Sequence, residues 1–429
     1  MPKGEIFKIR GKKPLFGEIE INGCKNAATP IIAAALLTDE PCYISNLPLV
    51  EDIFRMLEIV KELGAKVEFV GEREVKITAK DIDPSKIKRD LVRKLRSSVF
   101  LLGPLLSRFG DVNIPQPGGC AIGVRPIETH LRGFEQLGAK VKLKREKSGK
   151  ENYTLMAEKL KPGEVILQEF SVTATENILM AASRIAGKTL VKIAALEPHV
   201  KDLSRVLVKM GAKVEWLEDH TIKIEGKKKL RGFSHKLIYD SVEAGSFFIL
   251  AGVAGNNILI KNVPFSDLDL VIQKLKDFGV RIEKIKGGGA KVSAPKKFLS
   301  VQKVQVLPYP GIPTDLQCAF GVLATQAPGG TIIHDPMYEE RLRYLQDLNR
   351  MGADVFSLDS HRAIVEGPSE LYGVPIKNYD LRSGAALIIA GLIARGETEI
   401  SNAYQVDRGY ENIEERFQKL GADIKRIKI

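Results

Sequence analysis

Apolar and polar positions follow a pattern that occurs six times along the chain. An amphipathic helical stretch ends in a hydrophobic residue, which is followed by Gly, a small or branched residue, a polar residue and a β-branched one, as in residues 63–67 (LGAKV). Gly tolerates positive φ at a helix C-terminus without steric penalty, so each copy predicts a helix that runs into a strand. The six glycines are spaced 74, 73, 68, 73 and 69 residues apart and are Gly64, Gly138, Gly211, Gly279, Gly352 and Gly421.

A second helical stretch, apolar on nearly every face, precedes most of the amphipathic helices. Examples are residues 175–185 and 244–253. A helix that is apolar all round is buried all round. A Gly-containing turn and a β-branched run, as at residues 187–191, separate the two helices. Each copy therefore predicts a βαβαββ-like unit, with inner helices wrapped by sheet and outer helices facing water.

The length of the repeat predicts two domains. About 70 residues is longer than the common solenoid repeats of roughly 20 to 50, and single cores stop growing at about 250 to 300 residues. The Lys/Gly-rich residues 226–232 separate the third and fourth copies, and the strand-like residues 7–21 precede the first buried helix. We predict an α/β protein whose domains are residues 22–230, with repeats 1–3 and the loop that contains Cys120, and residues 1–21 plus 231–429, with repeats 4–6.

Composition is typical of a cytoplasmic enzyme. Hydrophobic residues make up 44% of the chain, and no apolar run approaches the ~18 residues needed to span a bilayer. The first five residues (MPKGE) contain no apolar signal region. The cysteines form no CxxC pair, which argues against zinc and against a disulfide framework. They are Cys24, Cys42, Cys120 and Cys318.

The net charge of +12 indicates an anionic partner, either nucleic acid or a small polyanion. The basic residues are mixed with acidic ones, lack interleaved aromatics and form no usual nucleic-acid recognition motif. The alternative that Lys and Arg merely solvate the outer helices remains open on charge alone.

Four arginines favour a small anion. Arg96, Arg125, Arg382 and Arg408 each lie at a predicted helix entrance or in a Gly/Pro turn, where backbone N–H groups are available to anions. A planar guanidinium binds phosphate or carboxylate through two hydrogen bonds at once. Any one of the four could instead form a salt bridge or a cap, but four in equivalent places favour an anion site.

A Pro/Gly-dense loop at residues 115–123 (PQPGGCAIG) carries a cysteine at its centre. It is longer than the corresponding segments of the other copies, and long irregular loops in compact domains are often functional. With Arg125 nearby in sequence, Cys120 could act as an acid or a nucleophile. An unreactive cysteine in a Gly turn is the alternative.

Several short segments together resemble a known family, the UDP-N-acetylglucosamine enolpyruvyl transferases (1-carboxyvinyltransferases). The match runs from end to end in the same order. This resemblance implies the enolpyruvyl transferase fold, a two-domain inside-out α/β barrel with three repeats per domain. The matching segments are residues 22–28 (NGCKNAA), 117–126 (PGGCAIGVRP), 313–317 (PTDLQ), 340–341 (ER), 380–382 (DLR) and 407–411 (DRGYE).

The resemblance implies transfer of the enolpyruvyl group of phosphoenolpyruvate to the 3-hydroxyl of UDP-N-acetylglucosamine, with release of phosphate. This is the first committed step of peptidoglycan synthesis, and hence serves cell wall biogenesis, cell shape and cell division. The chemistry is addition and then elimination through a tetrahedral ketal, with no metal and no cofactor. Asp315 matches the family's base, and Cys120 matches its acid, which is also its site of alkylation by fosfomycin.

The resemblance also implies binding roles. Lys25, Arg125 and Arg408 would hold phosphoenolpyruvate, with Arg96 and Arg382 close by; Lys25, Cys120, Asp315 and Arg408 form the implied catalytic set. Ser171 and Asp315 could instead simply cap helices. The resemblance also implies which residues hold or border the nucleotide sugar. They are Asn26, Arg125, Pro126, Ile127, Glu128, Thr129, Ser171, Val172, Thr173, Asp315 and Arg341, together with the substrate-binding position Asp380 of the matching DLR segment.

Three positions depart from the family pattern. Glu128, Glu169 and Thr173 stand where the family usually has Asp, Lys and Gly, and all three positions surround the implied uridine-diphosphate pocket. A 3-phosphoshikimate enolpyruvyl transferase shares the fold and the donor, but the chain lacks that family's lysine-bearing shikimate site. A nucleic-acid-processing protein of the same repeat fold would account for the charge, but would leave the arginines and the loop cysteine unexplained. We therefore expect small-molecule substrates, with no nucleic-acid and no membrane partner.

Overall fold

The computed structural model describes residues 4–119, 122–147 and 149–428, which divide into two compact units. The terminal unit contains the described residues 4–22, 122–124 and 239–428, and the middle unit contains Gly23–Gly119 and Arg125–Ile238. The chain changes unit at 238/239, whereas the sequence placed this boundary at 230/231. The reason is that residues 234–236 form a strand that pairs inside the middle unit. Residues 122–124 follow the loop that was predicted for the first domain, but they belong to the terminal unit, where the Glu340 N–H donates to the Ile122 carbonyl at 3.3 Å.

The described residues form 23 strands. In chain order these are β1 (Glu5–Arg10), β2 (Glu18–Glu20), β3 (Cys42–Ser45), β4 (Lys66–Gly71), β5 (Glu74–Thr78), β6 (Asp111–Pro115), β7 (Lys140–Arg145), β8 (Glu151–Met156), β9 (Glu164–Ile166), β10 (Gly187–Lys192), β11 (Lys213–Trp216), β12 (Ile222–Gly226), β13 (Ser234–Lys236), β14 (Ile258–Lys261), β15 (Arg281–Ile285), β16 (Gly289–Ser293), β17 (Lys303–Gln305), β18 (Gly329–His334), β19 (Asp354–Ser357), β20 (Arg362–Gly367), β21 (Pro375–Lys377), β22 (Glu397–Ser401) and β23 (Asp423–Lys428).

Fourteen α-helices lie between these strands in the described part of the chain. They are α1 (Lys25–Ala34), α2 (Glu51–Glu62), α3 (Arg89–Val92), α4 (Leu102–Phe109), α5 (Glu128–Gln136), α6 (Val172–Ser183), α7 (Pro198–Met210), α8 (Ser241–Ala254), α9 (Asp269–Asp277), α10 (Thr314–Ala324), α11 (Tyr344–Arg350), α12 (Leu381–Ile393), α13 (Tyr404–Asp407) and α14 (Ile413–Gln418). Short 3₁₀ helices occupy Ala35–Leu37, Pro84–Lys86, Arg96–Leu101 and Phe265–Asp267.

The strands form six sheets among the described residues, three in each unit. Five sheets share one pattern, in which a short edge strand runs parallel to its neighbour and two antiparallel strands follow. The sixth, β6-β8-β7, has only the antiparallel strands. The predicted repeat is therefore confirmed, with one sheet for each copy.

Where the chain passes from one unit to the other, before α1 and before α8, strand pairing joins segments that are far apart in sequence. β13 precedes α8 but pairs with β3, and β2 precedes α1 but pairs with β14. β1 lies between β22 and β23, so the N-terminal strand completes the sheet of the last repeat. These pairings keep each sheet within one unit.

Inner helices form the centre of each unit. In the terminal unit α8, α10 and α12 pack against one another, and every position of α12 except Ser383 is buried. In the middle unit α6 packs against both α1 and α4. Each unit has its own apolar core built from these helices and the inward faces of the sheets. In the described part of the chain, no helix combines the length and the apolar character that crossing a membrane requires.

The six repeat glycines end their helices as predicted. Gly64, Gly138, Gly211, Gly279, Gly352 and Gly421 all have φ between +89° and +110°. Each follows an outer helix and precedes the outermost strand of its sheet. The sequence pattern therefore reflects a backbone requirement that recurs six times.

Candidate active site

A carboxylate held by two guanidinium groups lies at the start of α10 in the terminal unit. Arg341 Nη2 donates to Asp315 Oδ1 at 2.7 Å, and Arg382 Nε donates to Oδ2 at 3.0 Å. Arg341 Nη1 also lies 3.3 Å from Oδ2 of Asp380, which caps α12. The N-cap of α10 is Pro313, so the interpretation of Asp315 as a helix cap is wrong.

Arg382 has two buried nitrogens, Nη1 and Nη2, that make no hydrogen bond of standard length and angle to a described residue, although the nearby Tyr410 hydroxyl interacts with the guanidinium. Its side chain is 1% exposed. The guanidinium lies over the ring of Tyr410 at 5.1 Å, and the Tyr410 hydroxyl lies 2.7 Å from Ser246 Oγ. A buried cation with unfilled donors is suited to bind an anion.

Arg341 and Arg382 keep their positive charges in this cluster. Burial alone would lower the pKa of Arg341, but Asp380 and Asp315 outweigh it and the pKa is raised. The pKa of Arg382 is likewise raised, because Asp315 and Tyr410 outweigh its burial. Both guanidinium groups are therefore cations at any physiological pH.

Arg408 lies in a turn that packs against the start of α12. It directly follows α13, is 6% exposed, and donates from Nη1 to Gln405 Oε1 at 3.1 Å. A Cβ atom built on Gly409 would lie 2.5 Å from Leu381 Cδ1 and 3.7 Å from Arg382 Nη1. The structure thus brings the Arg408 turn beside Arg382.

Lys25 is the first residue of α1 in the middle unit. Its Nζ lies 3.3 Å from Asp52 Oδ2, and both side chains are largely buried, at 13% and 7% exposure. Asn26 follows on the same turn and is partly exposed. Asp52, at the start of α2, is a partner that the sequence did not indicate.

Arg96 and Arg125 meet at the end of the Pro/Gly loop. Arg96 Nη2 donates to the carbonyl of Pro126 at 3.2 Å. Gly119 has φ +137°, and a Cβ there would collide with the Arg125 guanidinium and lie 3.0 Å from Arg96 Cβ. Arg96 is the first residue of the 3₁₀ helix Arg96–Leu101, so it lies at a helix entrance as predicted.

The loop before Gly119 is fixed by main-chain contacts. The Gly118 N–H donates to the Val92 carbonyl at 3.3 Å, and the Gln116 N–H donates to the Glu151 carbonyl at 2.8 Å. Cys120 and Ala121, the next residues, lie outside the described residues. The role of Cys120 therefore stays a prediction.

The start of α5 shows how the predicted nucleotide-sugar positions differ from one another. Ile127 is 2% exposed and belongs to the apolar core. Glu128 pairs with Arg132 at 2.8 Å on the helix surface. Thr129 Oγ1 donates to Glu169 Oε1 at 3.0 Å. The Ile127 side chain therefore packs in the apolar core, whereas Glu128 and Thr129 pair with Arg132 and Glu169.

The start of α6 carries the other predicted positions. Ser171 is the N-cap and accepts a hydrogen bond from the Ala174 N–H at 3.4 Å. The helix begins at Val172, three residues before the predicted Thr175, so Val172 and Thr173 form its first turn. Ser171 is therefore a helix cap, as the alternative interpretation proposed, and its Oγ accepts the capping hydrogen bond.

Two buried ionisable groups beside these positions were missed. His130 on α5 is 2% exposed, and burial followed by the charge of Arg96 lowers its pKa to about 3. Glu176 on α6 is fully buried, and burial followed by the charge of Glu197 raises its pKa well above the ordinary value. Neither group has a side-chain hydrogen-bond partner in the described part of the chain. A glutamate inside an otherwise apolar helical stretch is a signal that could have indicated Glu176.

Comparisons with known proteins identify the family. The EPSP synthase (3-phosphoshikimate 1-carboxyvinyltransferase) family matches residues 9–417. A Halothermothrix orenii protein named UDP-N-acetylglucosamine 1-carboxyvinyltransferase is 43% identical over 426 residues, covering 98% of this chain and 99% of the relative. A Caldanaerobacter subterraneus protein named UDP-N-acetylglucosamine 1-carboxyvinyltransferase 3 is 42% identical over 425 residues, covering 99% and 100%. The chain belongs to the UDP-N-acetylglucosamine 1-carboxyvinyltransferases.

Solved structures show the fold of this UDP-N-acetylglucosamine 1-carboxyvinyltransferase family member. The enolpyruvyl transferase NikO from Streptomyces tendae matches with a TM-score of 0.88 at 24% identity, over 100% of both chains. An EPSP synthase from Acinetobacter baumannii matches with a TM-score of 0.73 at 19% identity, over 99% of this chain and 100% of that one. The predicted enolpyruvyl transferase fold is confirmed.

Proposed function

We propose that this chain transfers the enolpyruvyl group of phosphoenolpyruvate to the 3-hydroxyl of UDP-N-acetylglucosamine and releases phosphate, the first committed step of peptidoglycan synthesis. The relatives that support this assignment are named for that activity and align over nearly their full length. The protein is thus a transferase of cell wall synthesis.

The arrangement of Asp315 and Arg382 is the observation that carries the proposal. The Nε edge of the Arg382 guanidinium donates to the Asp315 carboxylate. The two remaining nitrogens, Nη1 and Nη2, offer buried donors. An anion bound to those donors would partly neutralise the positive charge of Arg382 beside Asp315. The Asp315 carboxylate would then be a better proton acceptor. Binding of an anionic donor substrate would in this way prepare the base.

Cations supply the recognition of phosphoenolpyruvate, which carries a carboxylate and a phosphate. Lys25, Arg125 and Arg408 are the proposed ligands, and Arg96 lies beside Arg125 at the end of the loop. Negative charge grows on the departing phosphate as its bond breaks. Fixed cations therefore stabilise the transition state more than the ground state.

Proton transfers follow from these assignments. Asp315 takes the proton of the sugar 3-hydroxyl as its oxygen bonds to C2 of phosphoenolpyruvate, and Cys120 gives a proton to the methylene carbon C3. The resulting tetrahedral ketal then returns a proton from C3 to the Cys120 thiolate and expels phosphate, which restores the double bond. Each step needs only groups that this chain supplies.

Charge at the nucleotide-sugar positions is mixed. We assign Asn26, Arg125, Arg341 and the starts of α5 and α6 to UDP-N-acetylglucosamine, whose diphosphate is anionic. Glu169, bonded to Thr129, brings a like charge to that surface. The proposed acceptor is therefore bound against a local repulsion that Glu169 creates.

Phosphate release with alternative acceptors tests the proposal. Protein would be mixed with phosphoenolpyruvate and either UDP-N-acetylglucosamine or 3-phosphoshikimate, because the matching family is described by the shikimate reaction. We expect sustained phosphate release with the nucleotide sugar alone. Turnover with 3-phosphoshikimate and none with UDP-N-acetylglucosamine would overturn the assignment.

A further inference from the structure

Arg426, on the C-terminal strand β23, has a guanidinium each of whose nitrogens donates to a carboxylate. Nη1 and Nη2 bind both oxygens of Asp407 at 2.8 and 2.6 Å. Nε and Nη2 bind the two oxygens of Glu414 at 2.5 and 3.1 Å, and Nη1 also binds Glu5 at 2.9 Å. One cation thus joins three carboxylates from the N-terminal strand, α13 and α14.

The segment that Arg426 holds cannot maintain its own shape. α13 contains four residues, Tyr404–Asp407, and so short a helix is unstable by itself in water. Its beginning is tied by the Ala403 N–H, which donates to the Glu5 carbonyl at 3.2 Å. Its end is tied by the two bonds between Asp407 and Arg426. The position of whatever follows Asp407 therefore depends on Arg426.

Arg408 is the residue that follows. On its other side Tyr410 is anchored by its hydroxyl, 2.7 Å from Ser246 Oγ. Arg408 and Gly409 are thus the only residues between two fixed points. We propose that Arg426 is a positioning residue for phosphoenolpyruvate binding, because its two bonds to Asp407 fix the turn that presents Arg408. This inference rests on the proposed function, in which Arg408 binds the donor substrate.

Charge makes the arrangement sensitive to the loss of Arg426. Burial alone would lower the pKa of this guanidinium, but its bonds to Asp407 and Glu414 outweigh burial and raise the pKa. Without the cation, Glu5, Asp407 and Glu414 would be three neighbouring carboxylates with no shared counter-ion. Their repulsion would displace the α13 turn, and a displacement of about 1 Å can reduce turnover about 10²-fold.

Two isosteric variants separate positioning from general stability. Asp407→Asn removes the two-oxygen bond between Arg426 and the segment that presents Arg408. Glu5→Gln removes another carboxylate from the same guanidinium and keeps the backbone carbonyl that accepts from the Ala403 N–H. Steady-state phosphate release would give kcat and the KM of each substrate. For Asp407→Asn we expect the KM for phosphoenolpyruvate to rise about tenfold or more, with the KM for UDP-N-acetylglucosamine within twofold of the parent. For Glu5→Gln we expect both KM values to stay within twofold.

Arg426→Lys provides a second, independent variant. Lysine keeps the charge among the three carboxylates but cannot grip Asp407 with two parallel bonds. It should therefore fold, by circular dichroism, and show the same rise in the KM for phosphoenolpyruvate. Equal KM changes in Asp407→Asn and Glu5→Gln, or an unchanged KM for phosphoenolpyruvate in both Asp407→Asn and Arg426→Lys, would overturn the inference.

Failure of the inference is distinct from failure of the proposed function. A parent protein that releases no phosphate from phosphoenolpyruvate and UDP-N-acetylglucosamine would refute the proposed function. An active parent whose Asp407→Asn and Arg426→Lys variants keep the parental KM for phosphoenolpyruvate would refute only the role of Arg426.

Discussion

Arg382 donates from Nε to Oδ2 of Asp315 at 3.0 Å, while its buried Nη1 and Nη2 make no hydrogen bond of standard length and angle to a described residue. One side chain therefore orients a carboxylate and also keeps two donors available. Arg341 holds the second oxygen of Asp315 at 2.7 Å, so the carboxylate cannot rotate without breaking a charged hydrogen bond.

Asp315→Asn should abolish the base without removing the side chain. Asparagine keeps an acceptor for one arginine but cannot take the proton of the sugar hydroxyl. We expect kcat to fall at least ~10²-fold, the usual lower bound for the loss of a general base. Phosphate release measures the rate. Asp359→Asn, a change at an exposed carboxylate paired with Arg362, is the control, and a near-parental rate for Asp315→Asn would remove Asp315 from the mechanism.

Cys120→Ser should abolish alkylation by fosfomycin and most turnover. Cys24, Cys42 and Cys318 are buried, and burial raises the pKa of both Cys42 and Cys318 to about 12. These two thiols are therefore protonated and unreactive at neutral pH. Mass spectrometry of the treated parent should show one adduct, which peptide mapping places at Cys120. An adduct of equal yield in the Cys120→Ser variant would refute this assignment.

Glu169→Lys should improve binding of the nucleotide sugar. The change replaces a carboxylate bonded to Thr129 with a cation beside the proposed diphosphate position. We expect the KM for UDP-N-acetylglucosamine to fall about tenfold, which corresponds to ~1.4 kcal/mol, and the KM for phosphoenolpyruvate to stay unchanged. Glu158→Lys, the same charge change at another exposed residue of the middle unit, controls for general electrostatic attraction. Equal effects of both variants would contradict a local role for Glu169.

Glu176→Gln should stabilise the protein at neutral pH. The raised pKa of Glu176 means that the folded state keeps a proton which the unfolded state releases above the ordinary value of 4.5. Stability contributed by this proton is fully present below pH 4.5 and is lost as pH rises towards the folded pKa, by about 1.4 kcal/mol per pH unit. Glutamine is neutral at every pH, so its advantage over the parent should grow as pH rises above 4.5, until the pH reaches the raised pKa of Glu176 in the folded state.

Urea unfolding at several pH values measures this difference in the free energy of unfolding. Glu218→Gln, at an exposed position of the same unit, is the matched control and should show no such pH dependence. A Glu176→Gln advantage that is constant with pH would exclude proton linkage as its cause.

Two repeat glycines separate backbone strain from crowding. Gly211 has φ +110° and nothing within 4 Å of a built Cβ, whereas a Cβ on Gly64, at φ +106°, would lie 2.8 Å from the Asp81 carbonyl oxygen. Gly211→Ala should cost about 1–2 kcal/mol of unfolding free energy from the left-handed backbone alone. Gly64→Ala should cost about 1–3 kcal/mol more, because it also crowds that carbonyl. Equal losses in urea unfolding would contradict this separation.

The sequence by itself determined the features that repeat locally. Six glycine-ended helices, the inner helices and the strand runs follow from the spacing of apolar positions and from the conformational freedom of glycine, which act within a few residues. The matching segments also identified the family and named Asp315, Arg341 and Arg382. They left open whether Asp315 was a helix cap or an active group, because capping is decided by geometry that spacing does not contain.

Only the tertiary structure decided which distant groups meet. Arg341 and Arg382 lie 26 and 67 positions after Asp315, and both reach it. β1 joins the sheet of the last repeat, and Arg426 binds Asp407, Glu414 and Glu5. The physical reason is that strand pairing and buried charge compensation depend on packing between elements, which a local period does not encode.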